Sequence, residues 1–467
     1  MSNRQDRLES VIHYFNDHKE DYLNDLKDLV RIPSISFPGF DPASVRMNAD
    51  AVAALLSKSG LHDVRILDTG TGHPSVFGQW MGASGMPSLL LYAHHDVQPI
   101  GKSELWVTPP FDPTERSGRV YGRGVSDDKG GVVMHSSAVH AYLQATGRLP
   151  INVKVLIEGE EEVGSTNLFS LLKSHRDLLS ADAVLIADGQ NFDSAFPSLT
   201  ASLRGIVTVR VEVHSLSTSV HSGTWGGPIP DPVLALSKML ASLVDDEGNV
   251  AIPGLLDAVR PLTDKEKLHL DDLPYAESVY RKQSNILDGV KLSGGEGTVY
   301  EKMWYRPSLT INAIEASSRK QAANIINDKA WARVGIRTVP DMDSGETLGL
   351  LNNHLLRHAP WGVQVNIEPE TPAPWWKTDT EGPIFHAAER ALEKGYGKKP
   401  VVIGSGGSIA FVQTIADTLK NATILLVGVG DPYSAAHSEN ESLSIIDWQN
   451  SCRSLIYLFN ELARLQD

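Results

Sequence analysis

Apolar residues follow two different periods along this chain, and no other feature restricts its fold as strongly. Near the two ends they run almost without interruption, as in Ser88-Leu89-Leu90-Leu91-Tyr92-Ala93, Val153-Lys154-Val155-Leu156-Ile157, Ala183-Val184-Leu185-Ile186-Ala187 and Thr423-Ile424-Leu425-Leu426-Val427. Strands of that kind are covered on both faces. Helical patterns stand between them: Gly130 to Ala145, Ile384 to Lys394 behind a helix-starting Pro383, and Ile445 to Leu465. The alternation predicts an α/β domain with a mostly parallel central sheet. In the middle of the chain Val207, Val209, Val211 and Val213 alternate with polar residues, as do Ala332, Val334 and Ile336, and then Val363, Val365 and Ile367. One dry and one wet face mark an antiparallel sheet. The expected organisation is an outer α/β domain made of residues 1–203 and 372–467, interrupted by an inserted α+β domain at 204–371.

The length of 467 residues suits two cores better than one. Acidic residues outnumber basic ones by 57 to 42, and the resulting charge of -15 opposes nucleic acid and anionic lipid as partners. No apolar run approaches the roughly 20 residues of a membrane span, and the segment Met1 to Glu20 is mixed charged and polar rather than basic then apolar. A cytoplasmic protein is expected. The single cysteine, Cys452, lies at helical spacing from Leu455, Ile456 and Phe459 and reads as a buried structural residue, which removes disulfides and thiolate metal sites from consideration.

Each continuous apolar strand is followed by groups suited to metal binding. His94 and Asp96 follow the first, Glu158, Glu160, Glu161 and Glu162 the second, and Asp188 the third, while His437 comes a short glycine-rich loop after the fourth. A further segment, Gly122-Arg123-Gly124-Val125-Ser126-Asp127-Asp128-Lys129-Gly130-Gly131, combines turn glycines with carboxylates just before a helix. In open α/β sheets the ligand crevice lies at the carboxyl ends of the strands. Alone, each residue has a plain reading: His94 or His437 as an ordinary histidine, Glu158 to Glu162 as a solvated face, Asp127-Asp128 as a helix cap. Together, two imidazoles and three carboxylates form a donor set for zinc, manganese or cobalt. The charges agree, since Asp127, Glu162, Asp188 and one hydroxide balance two divalent cations. Glu161 is then left over, free to move a proton.

These segments resemble the dinuclear metallopeptidase superfamily that includes carnosine-type and cytosolic non-specific dipeptidases, carboxypeptidase G, aminoacylase and succinyl-diaminopimelate desuccinylase. The resemblance spans nearly the whole chain and rests on Ala93-His94-His95-Asp96-Val97-Gln98-Pro99, Gly122 to Gly130, Glu160-Glu161-Glu162-Val163-Gly164-Ser165, His221-Ser222-Gly223-Thr224-Trp225-Gly226-Gly227 and Ala436-His437-Ser438-Glu439-Asn440-Glu441. It implies a zinc-exopeptidase-like catalytic domain with a lid and dimerisation domain. It also implies two divalent ions per subunit, with zinc favoured over manganese or cobalt. His94 and Asp188 would then hold one ion, Glu162 and His437 the other, and Asp127 would bridge them. Asp96 orients His94, and Glu161 is the general base that takes a proton from the bridging water and passes it to the leaving amine. His221 reaches a neighbouring subunit's site in a homodimer to stabilise the oxyanion. Arg337 and Asn324 of the lid, with the Gly406-Gly407-Ser408 turn of the catalytic domain, bind the substrate carboxylate.

Two departures bear on substrate choice. Gly404-Ser405 stands where many similar dipeptidases carry Arg-Glu, and His95 stands where a tyrosine is common, next to His94, where it would widen or repolarise the pocket. The activity implied is dipeptide hydrolysis. The alternative is an N-acyl-amino-acid amidohydrolase: a deacetylase, desuccinylase or carbamoyl hydrolase. A nucleotide-binding reading fails because neither Gly122-Arg123-Gly124 nor Gly428-Val429-Gly430 completes G-x-G-x-x-G, and Gly404 to Ser408 does not spell the G-x-S-x-G of serine hydrolases.

Overall fold

The computed structural model describes residues 2–68, 70–274, 277–420 and 422–466. The chain divides into two compact units, one formed by Met1–Ala201, Thr378–Ile403 and Thr414–Asp467, the other by Ser202–Lys377 and Gly404–Gln413.

The first unit is built on a mixed sheet whose centre is parallel. Ser88–His94 pairs in parallel with Asn152–Glu158 on one side and Ala183–Gln190 on the other, and Ala183–Gln190 pairs in parallel with Thr423–Gly430. Ser75–Trp80 and His62–Leu67 extend the sheet antiparallel beyond Asn152–Glu158. The continuous apolar runs are buried throughout: Leu89 to Ala93 and Val155 to Ile157 are closed to solvent. Around the sheet pack Ser2–Val30, Pro42–Lys58, Lys129–Thr146, Pro383–Tyr396 and Ile445–Ala463. The first of these helices buries Leu8, Val11, Phe15, Tyr22, Leu26 and Leu29, a stripe at three- and four-residue spacing. Cys452 is buried and unpaired in the last, and burial pushes its thiol up to about 12, leaving it inert. Among the described residues no helix is long and apolar enough to cross a membrane.

In-register parallel pairing explains why chemistry gathers at one edge. His94 pairs with Glu158, and Asp188 pairs with Gly428, so the strands end together and their polar successors emerge on the same side.

The second unit is an antiparallel four-stranded sheet in the order Ser308–Glu315, Lys329–Thr338, Gly205–His214, Gln364–Pro369. Val209, Val211 and Val213 face the helices Pro232–Ala241 and Ser344–Arg357 together with Ala330, Ala332 and Val334. The pairing Val211 to Ala332 and Val209 to Val334 places the alternating positions on one dry face.

Candidate metal centre

Four side chains from four other segments of the first unit meet around Asp127. Its Oδ1 lies 3.0 Å from His94 Nε2, and its Oδ2 lies 2.9 Å from His437 Nε2. On the first side Asp188 Oδ1 is 3.8 Å from His94 Nε2, and on the second Glu162 Oε2 is 3.2 Å from His437 Nε2. The result is two groups, His94 with Asp127 and Asp188, and Asp127 with Glu162 and His437, in each of which the donor atoms lie within 4.8 Å of one another. The opposed use of its two oxygens makes Asp127 the member common to both. His94 is fully buried at a strand end, whereas His437 sits on a loop at φ +61° with 56% of its side chain exposed. His94 is therefore closed to solvent while His437 is open to it.

The arrangement fits divalent cations. Donors about 2.1 Å from a tetrahedral ion stand about 3.4 Å apart, and the observed separations fall on both sides of that value. The electrostatics agree. Burial and then the charge of Asp127 push Glu162 up to about 6, and burial also raises Asp188, so desolvation outweighs the two imidazoles and the carboxylates would gain from further positive charge. The imidazoles respond in the opposite direction. Hydrogen bonds to Asp127 and Glu162 raise His437 to about 11, and although burial disfavours a charged His94, Asp127, Asp188 and Asp96 hold it well above its usual range.

Glu161 borders the same cluster without belonging to either group. Burial, followed by the charge of Asp188, raises its carboxyl well above the ordinary range. Its backbone is fixed by Asp96, whose Oδ1 accepts from Glu161 N at 3.1 Å and whose Oδ2 accepts from Glu162 N at 3.0 Å and Ser36 Oγ at 2.7 Å. His94 Nδ1 faces the Asp96 carbonyl at 3.1 Å and its carboxylate only at 3.4 Å. Asp96 thus ties the His94 segment to the Glu161-Glu162 turn as well as orienting the ring. His95 does not enter the groove. It is fully buried, its Nε2 lies 2.9 Å from Pro74 O, and burial pushes it down to about 4, so it is a neutral packing residue and leaves the pocket's polarity alone.

Several supporting residues carried no role in the sequence reading. Glu441, buried, accepts from Arg123 Nη1 and from the backbone of Gly124, Ser126 and Asp127. Gln98 Nε2 donates to Glu162 Oε2 at 2.7 Å. Asp128 Oδ2 accepts from His94 N at 3.3 Å, and its side chain makes no cap bond to the helix it precedes. A Cβ at Gly131 would stand 2.3 Å from Asp128 Oδ1 and 2.8 Å from Ala187 Cβ, so glycine is required for helix and strand to approach there. Glu441 and Gln98 lie inside the quoted motifs, and proximity to His437 and Asp96 was the signal available for them.

In the second unit, His221 pairs with Ile325 across a short bridge, and Asn324 O accepts from Ser222 N at 2.9 Å, which brings His221 and Asn324 together. His221 Nδ1 accepts from Gly223 N and Thr224 N, so its proton resides on Nε2, which is left as an exposed donor. Arg337 Nη1 donates to Ser408 Oγ at 2.7 Å, beside Gly407. The Gly406–Ser408 turn, expected on the catalytic domain, clusters with this second unit because Arg204 Nε binds Gly406 O and Ser408 Oγ binds Arg204 O.

The signature of peptidase family M20/M25/M40 matches residues 90–461. A cysteinylglycine-S-conjugate dipeptidase of Corynebacterium striatum is 32% identical over 414 residues, covering 86% of this chain and 89% of its own length. The Cys-Gly metallodipeptidase DUG1 of Saccharomyces cerevisiae is 30% identical over 474 residues, covering 96% of each chain. The crystal structure of human carnosine dipeptidase 1 superposes with a TM-score of 0.84 at 26% identity, over 98% of this chain and 99% of that one. On the match across residues 90–461 and these full-length similarities, the chain belongs to peptidase family M20/M25/M40.

Proposed function

We propose that this protein is a metal-dependent dipeptidase that hydrolyses the amide bond of dipeptides with Glu161 as general base. The observation that carries the reading is the placement of Asp127 between two groups of donors, with one carboxylate, Glu161, belonging to neither. The names of the relatives, Cys-Gly and β-Ala-His dipeptidases, favour dipeptides over N-acyl amino acids.

His94, Asp127 and Asp188 would hold one divalent cation and Asp127, Glu162 and His437 a second, with zinc the first candidate and manganese or cobalt behind it. Such a pair supplies Lewis acidity, lowering the pKa of water and polarising the scissile carbonyl. Glu161 takes a proton from the attacking water and returns it to the leaving nitrogen. Asp96 holds Glu161 and Glu162 in register through their N–H groups. His221, with its Nε2 proton outward, donates to the developing oxyanion in the site of a second subunit. Arg337, Asn324, Gly407 and Ser408 receive the substrate carboxylate. On this reading the second unit is the lid and dimerisation domain of a homodimer, and one cysteine suits a cytoplasmic enzyme.

The test is to strip the protein with chelator, reload it with zinc, manganese or cobalt, and assay dipeptides beside N-acetyl, N-succinyl and N-carbamoyl amino acids. Metal-restored cleavage of dipeptides is expected; cleavage confined to the acylated amino acids would replace the proposal with the amidohydrolase reading.

A further inference from the structure

Two guanidinium groups lie together in the second unit with only neutral partners. Arg204 Nε donates to Gly406 O at 3.1 Å, and its Nη1 donates to Ser308 Oγ at 2.9 Å and Arg306 O at 3.3 Å. Arg337 Nη1 donates to Ser408 Oγ at 2.7 Å, and that hydroxyl donates to Arg204 O at 2.7 Å. Both arginines are partly buried. Among the described residues neither has an Asp or Glu partner, and the nearby Glu301 is engaged by Arg306 through Nε and Nη2. Burial and then the charge of Arg337 push Arg204 down to about 10, and burial lowers Arg337 as well.

In the turn that contacts Arg204, position 404 lacks a side chain for a steric reason. A Cβ on Gly404 would stand 2.6 Å from Trp304 Cβ, and Trp304 is buried, so the indole occupies the space a side chain at 404 would need. Ser405, the next residue, is partly exposed, and its carbonyl accepts from Arg204 N at 3.2 Å. Two desolvated cations fixed side by side, with donor capacity left over, are balanced by two carboxylates better than by one.

Building on the dipeptidase reading, we propose that Arg204 and Arg337 form a two-cation subsite that selects dipeptides whose carboxyl-side residue is aspartate or glutamate. Arg337 takes the terminal carboxylate and Arg204 the side-chain carboxylate. Arg204 is thereby a specificity-determining residue, and Ser405 leaves it available.

The metal-loaded enzyme is assayed on Gly-Asp and Gly-Glu against Gly-Asn and Gly-Gln. A charge-assisted hydrogen bond gained by the acidic substrate predicts a kcat/KM advantage of about tenfold or more. Ser405→Glu adds a carboxylate to the turn that contacts Arg204 and lowers kcat/KM for Gly-Asp more than for Gly-Asn, bringing their ratio to parity; the uncharged Ser405→Gln keeps the preference. Parity in the parent enzyme, or a Ser405→Glu change that lowers both substrates equally, overturns the subsite. A readout independent of turnover separates this failure from failure of the dipeptidase reading. Succinate should raise the melting temperature of the loaded parent more than succinamate does, and this difference should vanish in Ser405→Glu. Equal shifts from the two ligands in the parent overturn the subsite even where no dipeptide is cleaved.

Discussion

Replacing Glu441 by glutamine tests how the loop carrying Asp127 is held. Glu441 Oε2 accepts from Arg123 Nη1 at 2.7 Å and Gly124 N at 2.9 Å, and Oε1 accepts from Ser126 N at 3.0 Å, Ser126 Oγ at 3.1 Å and Asp127 N at 3.2 Å. Arg123 and Glu441 are both buried, 318 residues apart in sequence. Glutamine preserves volume but turns one acceptor into an amide that must face N–H donors, and it leaves Arg123 without a counter-charge. Breaking a buried pair from one side costs about 3–5 kcal/mol, and each stranded donor adds about 1–3 kcal/mol. Even a total of about 4 kcal/mol, at about 2–4 °C per kcal/mol, lowers the melting temperature by about 10 °C. Thermal unfolding in chelator, which removes the contribution of bound metal, measures the effect. Arg123→Met should cost a similar amount, and the double variant should cost at least about 2 kcal/mol less than the sum, because neither charge is then left unpaired. A Glu441→Gln protein that melts within about 1 °C of the parent, or a strictly additive cycle, would refute the reasoning.

Glu161→Gln should retain metal by elemental analysis while kcat falls by about 10²–10⁴, the usual worth of a general base; loss of metal with activity would assign Glu161 to the ligand set. His221→Ala should keep both its metal content and its melting temperature but lose turnover, and mixing its subunits with Glu161→Ala subunits should restore activity by exchange if the imidazole acts across a dimer. Chelation should lower the melting temperature of the parent, because metal held at about 100 times its Kd stabilises the folded state by about 2.7 kcal/mol, and zinc should restore it. His135 is buried with its Nε2 on Tyr92 O at 3.0 Å, and burial lowers its pKa to about 4. The unfolded chain, with an ordinary histidine near 6.5, binds the proton first, so the stability from keeping this ring neutral is full above about pH 6.5 and lost as pH falls towards 4, up to about 3 kcal/mol. Denaturant titrations of His135→Gln should show a shallower loss across that window than the parent, and identical slopes would place acid sensitivity elsewhere.

What the sequence determined alone is whatever local pattern can encode. Uninterrupted apolar runs and strict alternation reflect how many faces of a strand are dry, so Leu89 to Ala93 and Val207 to Val213 announced two kinds of sheet before any contact was known. His94, Glu161, Glu162 and Asp188 were legible because each follows such a run, at the edge where parallel strands end. The helix Ser2–Val30 was also legible in its apolar stripe, although the reading did not single it out, whereas Ser308–Glu315 has no fully buried position to imprint a period. Tertiary structure decided the rest, because hydrogen bonds between distant segments leave no local period. Only packing put His95 under Gly159 rather than in the groove beside His94, hung Asp127 on Glu441, and set Arg204 against Arg337 and Ser408. In each case the residue type was visible in the sequence, while the partner that gives it a role was supplied by the fold.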